Sequence, residues 1–441
     1  MKISMIGAGQ QGVSQGLAYA RLNNVTEVVF QDVALETDII LAKAQEAGIA
    51  AGKIRFAGTI ADAVAGAEMI GLNVPMSAFE SCAAEIARHA RAGAILYDNG
   101  SGKVQAIQDV RAGLGDARVH YVPLHILHGV AGAGAATADP DMYKGVTAAI
   151  MLNEARPECA EVLAILLSRI GVGTVRTDLS AEKHDEALGR FSHHNTFYQI
   201  TLMRAFPDAS IGGQPVQIEP FLSSTRVAKS GSVEQDGSAM WAPIARDNKA
   251  AILAAGVSVH RNLLDLSDAV FEGRYGDLEL LLGEAADYVA RIAEADSEGN
   301  PRVIEDIEGA LHDLHAQGAD DPYAHIGSHV AAPVFAAAAS ALAADDYEQA
   351  GGEPYRSINN PSFRDTVRPA HTTPDKTVDL VRENVDLVQN ALTRLIETHE
   401  ALLDAIAADN DAAIRTHIHE GNQARHRLPA HRANGRPQFS L

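Results

Sequence analysis

The sequence predicts an α/β Rossmann-type domain at the N-terminus, followed by an all-α helical region. Over about the first 180 residues, short apolar runs rich in valine and isoleucine alternate with helix-like segments, which is the pattern of βαβ units. A glycine-rich turn follows the first apolar run, and the rest of the chain has helical periodicity. With roughly 150 residues per domain as a guide, the 441 residues would form about three compact units.

Seven apolar segments are the predicted strands of a mostly parallel sheet. Residues that favour strands are frequent in them, and helix-like segments separate most of them. The strands are predicted at residues 2–6, 27–31, 69–74, 94–97, 119–122, 146–152 and 173–176. From about residue 180 these signals stop, and segments such as 250–266 and 378–406 have the periodicity of helices.

The charge balance argues against two classes of partner. The chain has 36 lysine and arginine residues against 57 aspartate and glutamate residues, so its formal charge is 36 − 57 = −21. A surface this acidic repels a phosphate backbone, so neither nucleic acid nor an anionic membrane is an expected partner. An anionic substrate would need a local cluster of basic side chains.

The cysteine content and the apolar segments indicate a cytoplasmic protein. Cys82 and Cys159 lie far apart in sequence, so neither a disulfide framework nor a cysteine metal site is expected, and we predict no bound metal. The N-terminus has no secretory signal pattern. The most apolar later stretch, residues 331–344, contains Pro333 and is shorter than the roughly 20 residues that span a bilayer, so it is predicted to be a buried helix.

A dinucleotide site is predicted where the first strand ends. Gly7, Gly9 and Gly12 form a Gly-x-Gly-x-x-Gly turn between that strand and a helix, and Asp32 lies 32 − 12 = 20 residues past the last glycine. An acid there accepts from the ribose hydroxyls and repels a 2′-phosphate, so NAD is favoured over NADP. The alternative is a glycine-rich turn with a chance acidic residue. The predicted cofactor-binding residues are Gly7, Gly9, Gln10, Gln11, Gly12, Asp32, Val74 and Pro75.

Two polar clusters follow later strands, where ligands of open α/β sheets collect. Residues 98–103 read Asp-Asn-Gly-Ser-Gly-Lys, and residues 123–129 read Pro-Leu-His-Ile-Leu-His-Gly. We predict that Ser101 donates to a substrate oxygen and that His125 acts as a base. The alternatives are that Ser101 caps the next helix and that His125 is a core histidine, and we interpret His128 as structural.

Arg226, in the helical half, is a candidate clamp for a substrate carboxylate. The planar guanidinium group donates two parallel hydrogen bonds, which matches the geometry of a carboxylate. The alternative is a surface arginine in a salt bridge.

Together these motifs resemble those of the prephenate/arogenate dehydrogenase family of tyrosine biosynthesis. The glycine turn is shared, residues 98–103 correspond to the family's Asp-x-x-Ser-x-Lys, and residues 125–129 stand where the family has His-Pro-Met-Ala-Gly. The resemblance extends to about residue 292. Its later elements are His184-Asp185, Ser192-His193, Thr225-Arg226-Val227-Ala228, Trp241 and Asp247-Asn248.

The resemblance implies oxidation at C4 of a small anionic cyclohexadienyl substrate, with hydride transfer to NAD and loss of the ring carboxylate. His125 would accept the proton of the 4-hydroxyl group, Ser101 would support that group, and Arg226 would bind a carboxylate. The family's proline after the catalytic histidine is replaced by Ile126, and its second histidine near His193 is replaced by Thr196. We therefore expect His193 and Thr196 to contact the substrate differently, and prephenate, arogenate and an amino analogue stay open.

The helical half is predicted to contain two copies of one domain. Ser328-His329 resembles Ser192-His193, and residues 363–368 resemble the family's Phe-Arg-Asp-x-x-Arg. The triplets that end at Asn248 and Asn384 are 384 − 248 = 136 residues apart, whereas Arg226 and Arg368 are 368 − 226 = 142 apart, so the copies would differ by short insertions. The alternative is that two alanine-rich helical stretches share such short matches by chance. The predicted domains are residues 1–180, 181–300 and 301–430, with a tail at 431–441.

Family members are expected to dimerise through this helical domain, so two copies in one chain would form an intramolecular pseudo-dimer. We therefore predict a monomer or a loose homodimer. Arg368 of the second copy is either an orphaned duplicate or a further substrate-binding residue.

Two other readings remain open at this level. One is another dehydrogenase with a Rossmann and a helical domain, such as a β-hydroxyacid dehydrogenase or a ketol-acid reductoisomerase. The other is a non-catalytic nucleotide-binding relict, a protein that has lost its catalytic activity. The departures from the family motifs at Ile126 and Thr196 are consistent with this interpretation. Near the C-terminus, His417 and His419 are two residues apart on a predicted helix and face different sides, and both are expected to be solvated.

Overall fold

A computed structural model describes residues 1–128, 134–206, 210–211, 214–215, 238–297, 334–339 and 374–427. The chain divides into two compact units. The first, called the sheet unit here, contains residues 1–189 and 243–251, and the second, called the helical unit, contains residues 190–242 and 252–441.

The described elements alternate between strands and helices up to about residue 176 and are almost all helical afterwards. The strands are β1 (Lys2–Ile6), β2 (Glu27–Gln31), β3 (Ile54–Phe56), β4 (Met69–Leu72), β5 (Ile95–Asp98), β6 (His120–Ile126), β7 (Thr147–Ile150), β8 (Thr174–Arg176), β9 (Ser210–Ile211) and β10 (Gln214–Pro215). The helices are α1 (Gln10–Ala20), α2 (Thr37–Glu46), α3 (Ile60–Val64), α4 (Phe79–His89), α5 (Lys103–Leu114), α6 (Pro157–Arg169), α7 (Ala181–Leu188), α8 (Asn195–Ala205), α9 (Ser238–Asp247), α10 (Lys249–Phe271), α11 (Tyr275–Ser297), α12 (Pro374–Glu383), α13 (Val385–Ala407) and α14 (Asp411–Arg427). A π-helical turn, Gly189–His194, separates α7 from α8.

The sheet has eight strands in the order β3-β2-β1-β4-β5-β6-β7-β8. Strands β1 to β6 are mutually parallel, whereas β7 pairs antiparallel with β6, and β8 pairs parallel with β7. All seven predicted strands are present within a few residues of their predicted bounds, and the predicted fold class is confirmed. Strand β3 was missed because its three residues are only half-buried and carry a weak apolar signal.

The core of the sheet unit lies on both faces of the central strands, as expected for parallel strands covered by helices. Ile3 and Met5 of β1, Phe30 of β2, and Val13 and Leu17 of α1 belong to one buried cluster. Strand β4 lies beside β1 in the sheet and is buried along its whole length. This packing fixes the carboxyl ends of β1, β4, β5 and β6 along one edge, which is where the predicted site residues occur.

Two helices recur later in the chain at one spacing. Helices α10 and α13 are both 23 residues long, and α11 and α14 follow them. The starting residues of these two pairs are offset by 385 − 249 = 136 and 411 − 275 = 136. This regularity supports the proposed duplication, although much of the second copy lies outside the described residues.

Two other predictions concern the helical unit. Residues 334–339 are helical and buried, and they belong to the segment predicted to be a buried helix. In the described part of the chain, no helix has the length and apolar character needed to cross a bilayer. His419 is exposed, but the expectation for His417 was wrong: it is 1% exposed, since its face of α14 packs against α8, where it contacts Thr201 and Arg204.

Candidate active site

The glycine turn connects β1 to α1 and leaves an open space beside the start of the helix. Gly7 has φ +95°, which favours glycine, and a side chain at Gly12 would overlap the Gly7 carbonyl oxygen. A Cβ atom at Gly9 would meet nothing within 4 Å. No side chain caps α1 at Gly9. The first amides of α1 therefore lie beside a space that a pyrophosphate can occupy.

Asp32 follows β2 and holds the glycine turn. Its Oδ2 accepts a hydrogen bond from the Ala8 amide at 2.6 Å, and its Oδ1 accepts from the Ala34 amide at 2.9 Å. An ionised carboxylate has about four acceptor positions, so capacity for ribose hydroxyls remains. Val33, the next residue, is fully exposed and presents an apolar surface at the same strand end, which the sequence reasoning had not singled out.

The other predicted cofactor residues divide into two groups. The side chain of Gln10 donates to the Thr137 hydroxyl at 2.8 Å, and that of Gln11 donates to the His128 carbonyl oxygen at 3.0 Å. Their contribution to a nucleotide site would therefore come from their backbone amides in the first turn of α1. Val74 and Pro75 follow β4, beside the glycine turn, and are half-buried and exposed respectively.

Two asparagines at the carboxyl ends of β4 and β5 have buried polar atoms without partners in the described structure. Asn99 donates to Oδ1 of Asn73 at 2.7 Å, which leaves Nδ2 of Asn73 and Oδ1 of Asn99 unsatisfied. Such atoms in a native structure require an explanation, and a bound ligand with donors and acceptors supplies one. Together with the open glycine turn and Asp32, they fit a nicotinamide dinucleotide. Asn73 was missed in the sequence because the predicted strand, residues 69–74, included it, whereas β4 ends at Leu72.

A buried ion pair fixes the loop between β5 and α5. Lys103 Nζ, which is fully buried, binds Oδ1 of Asp98 and donates to the Leu124 carbonyl oxygen at 2.7 Å. Tyr121 donates its hydroxyl to Oδ2 of Asp98 at 2.6 Å, and the pKa of Tyr121 is raised, first by burial and then by the charge of Asp98. The Gly100 amide also donates to Asp98 at 2.7 Å. These bonds join β5, α5 and β6 on both sides of Ser101.

Ser101 does not cap α5. The helix begins after Gly102 without a side-chain cap, and Asp185 of α7 instead accepts from the amides of Lys103 and Val104 at 2.6 and 2.8 Å. The capping alternative for Ser101 is therefore wrong, because a carboxylate distant in sequence occupies that position. Ser101 is half-buried, and its hydroxyl has no partner among the described residues, which leaves it available to a substrate.

His125 lies near the carboxyl end of β6 and contacts a second histidine. Its Nδ1 is 3.0 Å from Nε2 of His184, and Nδ1 of His184 is 2.8 Å from Oδ1 of Asp185. His184 is fully buried, whereas His125 is half-buried, as a group that must reach a substrate would be. Burial lowers the pKa of His184. The sequence reasoning quoted His184-Asp185 as a motif but assigned it no role.

The predicted substrate-binding residues lie in the helical region. His193, in the π-helical turn, is buried and packs edge-on against Trp241, with 6.2 Å between ring centroids. Thr196 is buried at the start of α8 and donates its hydroxyl to the Ser192 carbonyl oxygen at 2.9 Å. Arg226 and Arg368 lie outside the described residues.

Comparison with known proteins finds a family model that matches part of the sheet unit. Residues 31–173 match the family model described as "Prephenate dehydrogenase, nucleotide-binding domain". The matched segment contains Asp32, Ser101 and His125, and it begins at the last residue of β2, 31 − 12 = 19 residues past the glycine turn.

One solved structure shows the same fold, and two others are similar to this chain. Prephenate dehydrogenase from Aquifex aeolicus is 19% identical, with a TM-score of 0.50, and the match covers 62% of this chain and 92% of that one. Arogenate dehydrogenase from Synechocystis is 18% identical, with a TM-score of 0.49 and coverage of 64% and 97%. The Aquifex enzyme in complex with hydroxyphenyl propionate and NAD⁺ is 18% identical, with a TM-score of 0.48 and coverage of 73% and 98%. No curated protein sequence matches this chain.

These findings confirm the predicted fold class. Residues 31–173 are similar to the nucleotide-binding domain of the family that the sequence motifs resemble. Of the three readings that the sequence left open, the family model matches the first.

Proposed function

We propose that this protein catalyses the NAD-dependent oxidative decarboxylation of prephenate, arogenate or a close analogue to an aromatic product. The observation that carries the proposal is the convergence of the glycine turn, the Ser101 loop and His125 on one edge of a sheet whose sequence matches this family. A hydride acceptor, a hydroxyl group and an imidazole at one edge suit the oxidation of an alcohol.

Some residues of the sheet unit would bind NAD, and others would transfer a proton. The first amides of α1, Asp32 and the asparagines after β4 and β5 would hold NAD, which accepts a hydride from C4 of the ring when it is bound. His125 takes the proton of the 4-hydroxyl group, and Ser101 hydrogen-bonds to the same oxygen. The ring carboxylate leaves as CO2, its bonding electrons complete the aromatic ring, and His125 returns the proton to the oxygen on C4.

The remaining substrate contacts are proposed from the sequence. Arg226 binds a carboxylate of the substrate, and Arg368 is a second candidate for this role. His193 and Thr196 contact the ring substituents. A substrate with two carboxylates needs such cations, since the chain as a whole carries a formal charge of −21.

The appearance of NADH absorbance tests the proposal when the protein is given NAD with prephenate, arogenate or the 4-amino analogue. Turnover of one of them, with the others slower, would identify the ring substituent that the site accepts. Turnover of β-hydroxyacids instead would favour the alternative dehydrogenase reading. Nucleotide binding without turnover of any ring substrate would contradict the proposal and favour a relict site.

Replacing the proposed base gives the first prediction. His125→Asn should lower kcat by about 10²–10⁴, because general base assistance is worth that much, while KM changes less. Steady-state kinetics measure both constants. The matched control is His120→Asn, at the amino end of the same strand, which should leave kcat unchanged. An unchanged kcat in the His125 variant would remove His125 from the mechanism.

A further inference from the structure

Asp185 sets the direction of a hydrogen-bond chain that ends at His125. Three nitrogens lie within hydrogen-bond distance of this carboxylate: the amides of Lys103 and Val104, which donate to it, and Nδ1 of His184. Burial by itself would raise the pKa of Asp185, but the hydrogen bonds from His184 and from the two amides outweigh it, and the pKa is lowered. At neutral pH the group is therefore ionised and can only accept hydrogen bonds.

His184 then has its single proton on Nδ1. The ring is fully buried and burial lowers its pKa, so it is neutral at neutral pH and has one N–H. Because Nδ1 faces a group that only accepts, that nitrogen must be the donor. Nε2 of His184 consequently has a lone pair, and it lies 3.0 Å from Nδ1 of His125.

The tautomer of His125 follows from this contact. Two lone pairs cannot form a hydrogen bond, so Nδ1 of His125 must be protonated and donate to His184. We propose that His184 is a positioning residue that holds His125 in the tautomer with its proton on Nδ1, so that Nε2 is the nitrogen that accepts the substrate proton. The role depends on the proposed function, since it assigns His184 a part in catalysis only if His125 is the base.

The same carboxylate ties the second proposed catalytic group to the first. Asp185 caps the amides of Lys103 and Val104, which follow the Ser101 loop directly, and it also holds the His184 ring. Asn248 in turn donates to the Asp185 carbonyl oxygen at 2.8 Å, which fixes the backbone at this point. One buried side chain thus sets the position of the Ser101 loop and, through His184, the ring orientation of His125.

Two substitutions at His184 separate the tautomer effect from loss of packing. His184→Leu fills the space but offers no acceptor, so kcat should fall about tenfold or more, without exceeding the loss in His125→Asn, while KM for NAD changes little. His184→Gln can donate to Asp185 through its amide nitrogen and accept from His125 through its amide oxygen, so it should restore much of kcat. His120→Leu, in the same domain, is the control for loss of an imidazole.

Nitrogen-15 NMR of the histidine side chains, with His125→Asn to assign its signals, tests the proposal without turnover. In the cofactor-free protein at neutral pH, Nδ1 of His125 should have the shift of a protonated nitrogen and Nε2 that of an unprotonated one. His184→Leu should shift this pattern toward a mixture of tautomers, and His184→Gln should preserve it.

Two results would overturn the proposal: a wild-type His125 protonated on Nε2, or the same nitrogen pattern in wild type and His184→Leu. If the wild type has the expected pattern but oxidises no ring substrate, the tautomer assignment stands and the proposed function is the part that fails.

Discussion

At the scale of single residues, the glycines of the turn are required for two different reasons: packing within the protein and space for a ligand. Gly12 is required by packing, because any side chain there would overlap the Gly7 carbonyl oxygen. Gly9 is different, since any residue can adopt its φ of −74°. No atom of the described protein lies within 4 Å of the position that a Cβ atom would occupy there. The protein itself therefore tolerates a side chain at Gly9, and only a ligand requires the glycine.

This difference gives a prediction for NAD binding. Gly9→Ala should leave Tm unchanged within about a degree but weaken NAD binding by roughly tenfold or more, because the added methyl group occupies the space of the pyrophosphate. Thermal melts and NAD titration measure the two quantities. The control is Gly58→Ala, an exposed position with equally open space. A Gly9→Ala protein that binds NAD as tightly as wild type would place the nucleotide elsewhere.

At the scale of elements, the junction of β5, α5 and β6 depends on one buried ion pair. Asp98 and Lys103 are both fully buried, and each has further partners: the Tyr121 hydroxyl and the Gly100 amide on Asp98, and the Leu124 carbonyl on Lys103. A buried pair of this kind is costly to break because the remaining charge has no solvent. The junction holds the Ser101 loop, so its integrity matters to the site as well as to stability.

Lys103→Met should therefore lower the free energy of unfolding by about 3–5 kcal/mol. Adding Asp98→Asn should recover part of the loss, because the uncompensated charge is then removed. Urea unfolding followed by circular dichroism measures both. Lys144→Met, which removes a lysine whose side chain is 69% exposed, should have little effect. If Lys103→Met lowers the free energy of unfolding only slightly, the buried charge of Asp98 does not require Lys103 for its stabilisation.

The packing of α14 against α8 has a pH dependence. His417 accepts from Arg204 and donates to Thr201, and burial, followed by the charge of Arg204, lowers its pKa from 6.5 to about 3. Below about pH 6.5 the unfolded chain therefore binds a proton at His417, whereas the folded protein does not. The stability that His417 contributes is complete above pH 6.5 and is lost as the pH falls toward 3.

Stability should accordingly fall by about 1.4 kcal/mol per pH unit for each such histidine once the pH is well below 6.5. Buried His194, with a pKa lowered to about 3, adds to the effect. His417→Gln should reduce the pH dependence of urea unfolding between pH 6.5 and 4, whereas His419→Gln, on the exposed face of the same helix, should not. Equal slopes in the two variants would contradict the burial of His417.

At the scale of the whole molecule, the equal spacing of helices favours an origin by duplication. Helices α10 and α11 and helices α13 and α14 begin at positions offset by 136 residues, and α10 and α13 have equal lengths. Point mutation changes side chains more readily than it changes the length of a helix or a turn, so spacing outlasts sequence similarity. A chain with both copies can form within itself a helical core that otherwise requires two subunits.

The predicted oligomeric state follows from this arrangement. The protein should be a monomer of 46.6 kDa, or a dimer that dissociates on dilution. Size-exclusion chromatography with light scattering over a range of concentrations measures the mass. A dimer that persists at high dilution, with the helical core shared between two chains, would contradict the intramolecular pseudo-dimer.

The sequence by itself determined seven of the eight strands of the sheet, the glycine turn with Asp32, and the positions of Ser101 and His125. These depend on local signals, namely apolar periodicity and residues at fixed spacing after a strand, which are readable without knowledge of long-range contacts. Gly12 is of this kind, because the Gly7 carbonyl oxygen that excludes a side chain there belongs to the same turn.

Only the tertiary structure decided that Asp185 caps α5, that His184 contacts His125, and that His417 is buried. The partners in these contacts are 82, 59 and 216 residues apart. Whether a histidine meets another histidine, a carboxylate or water depends on which helix packs beside it. Helices pack so that their apolar faces are buried, and this packing determines which polar groups come into contact. These contacts exist only in the folded chain.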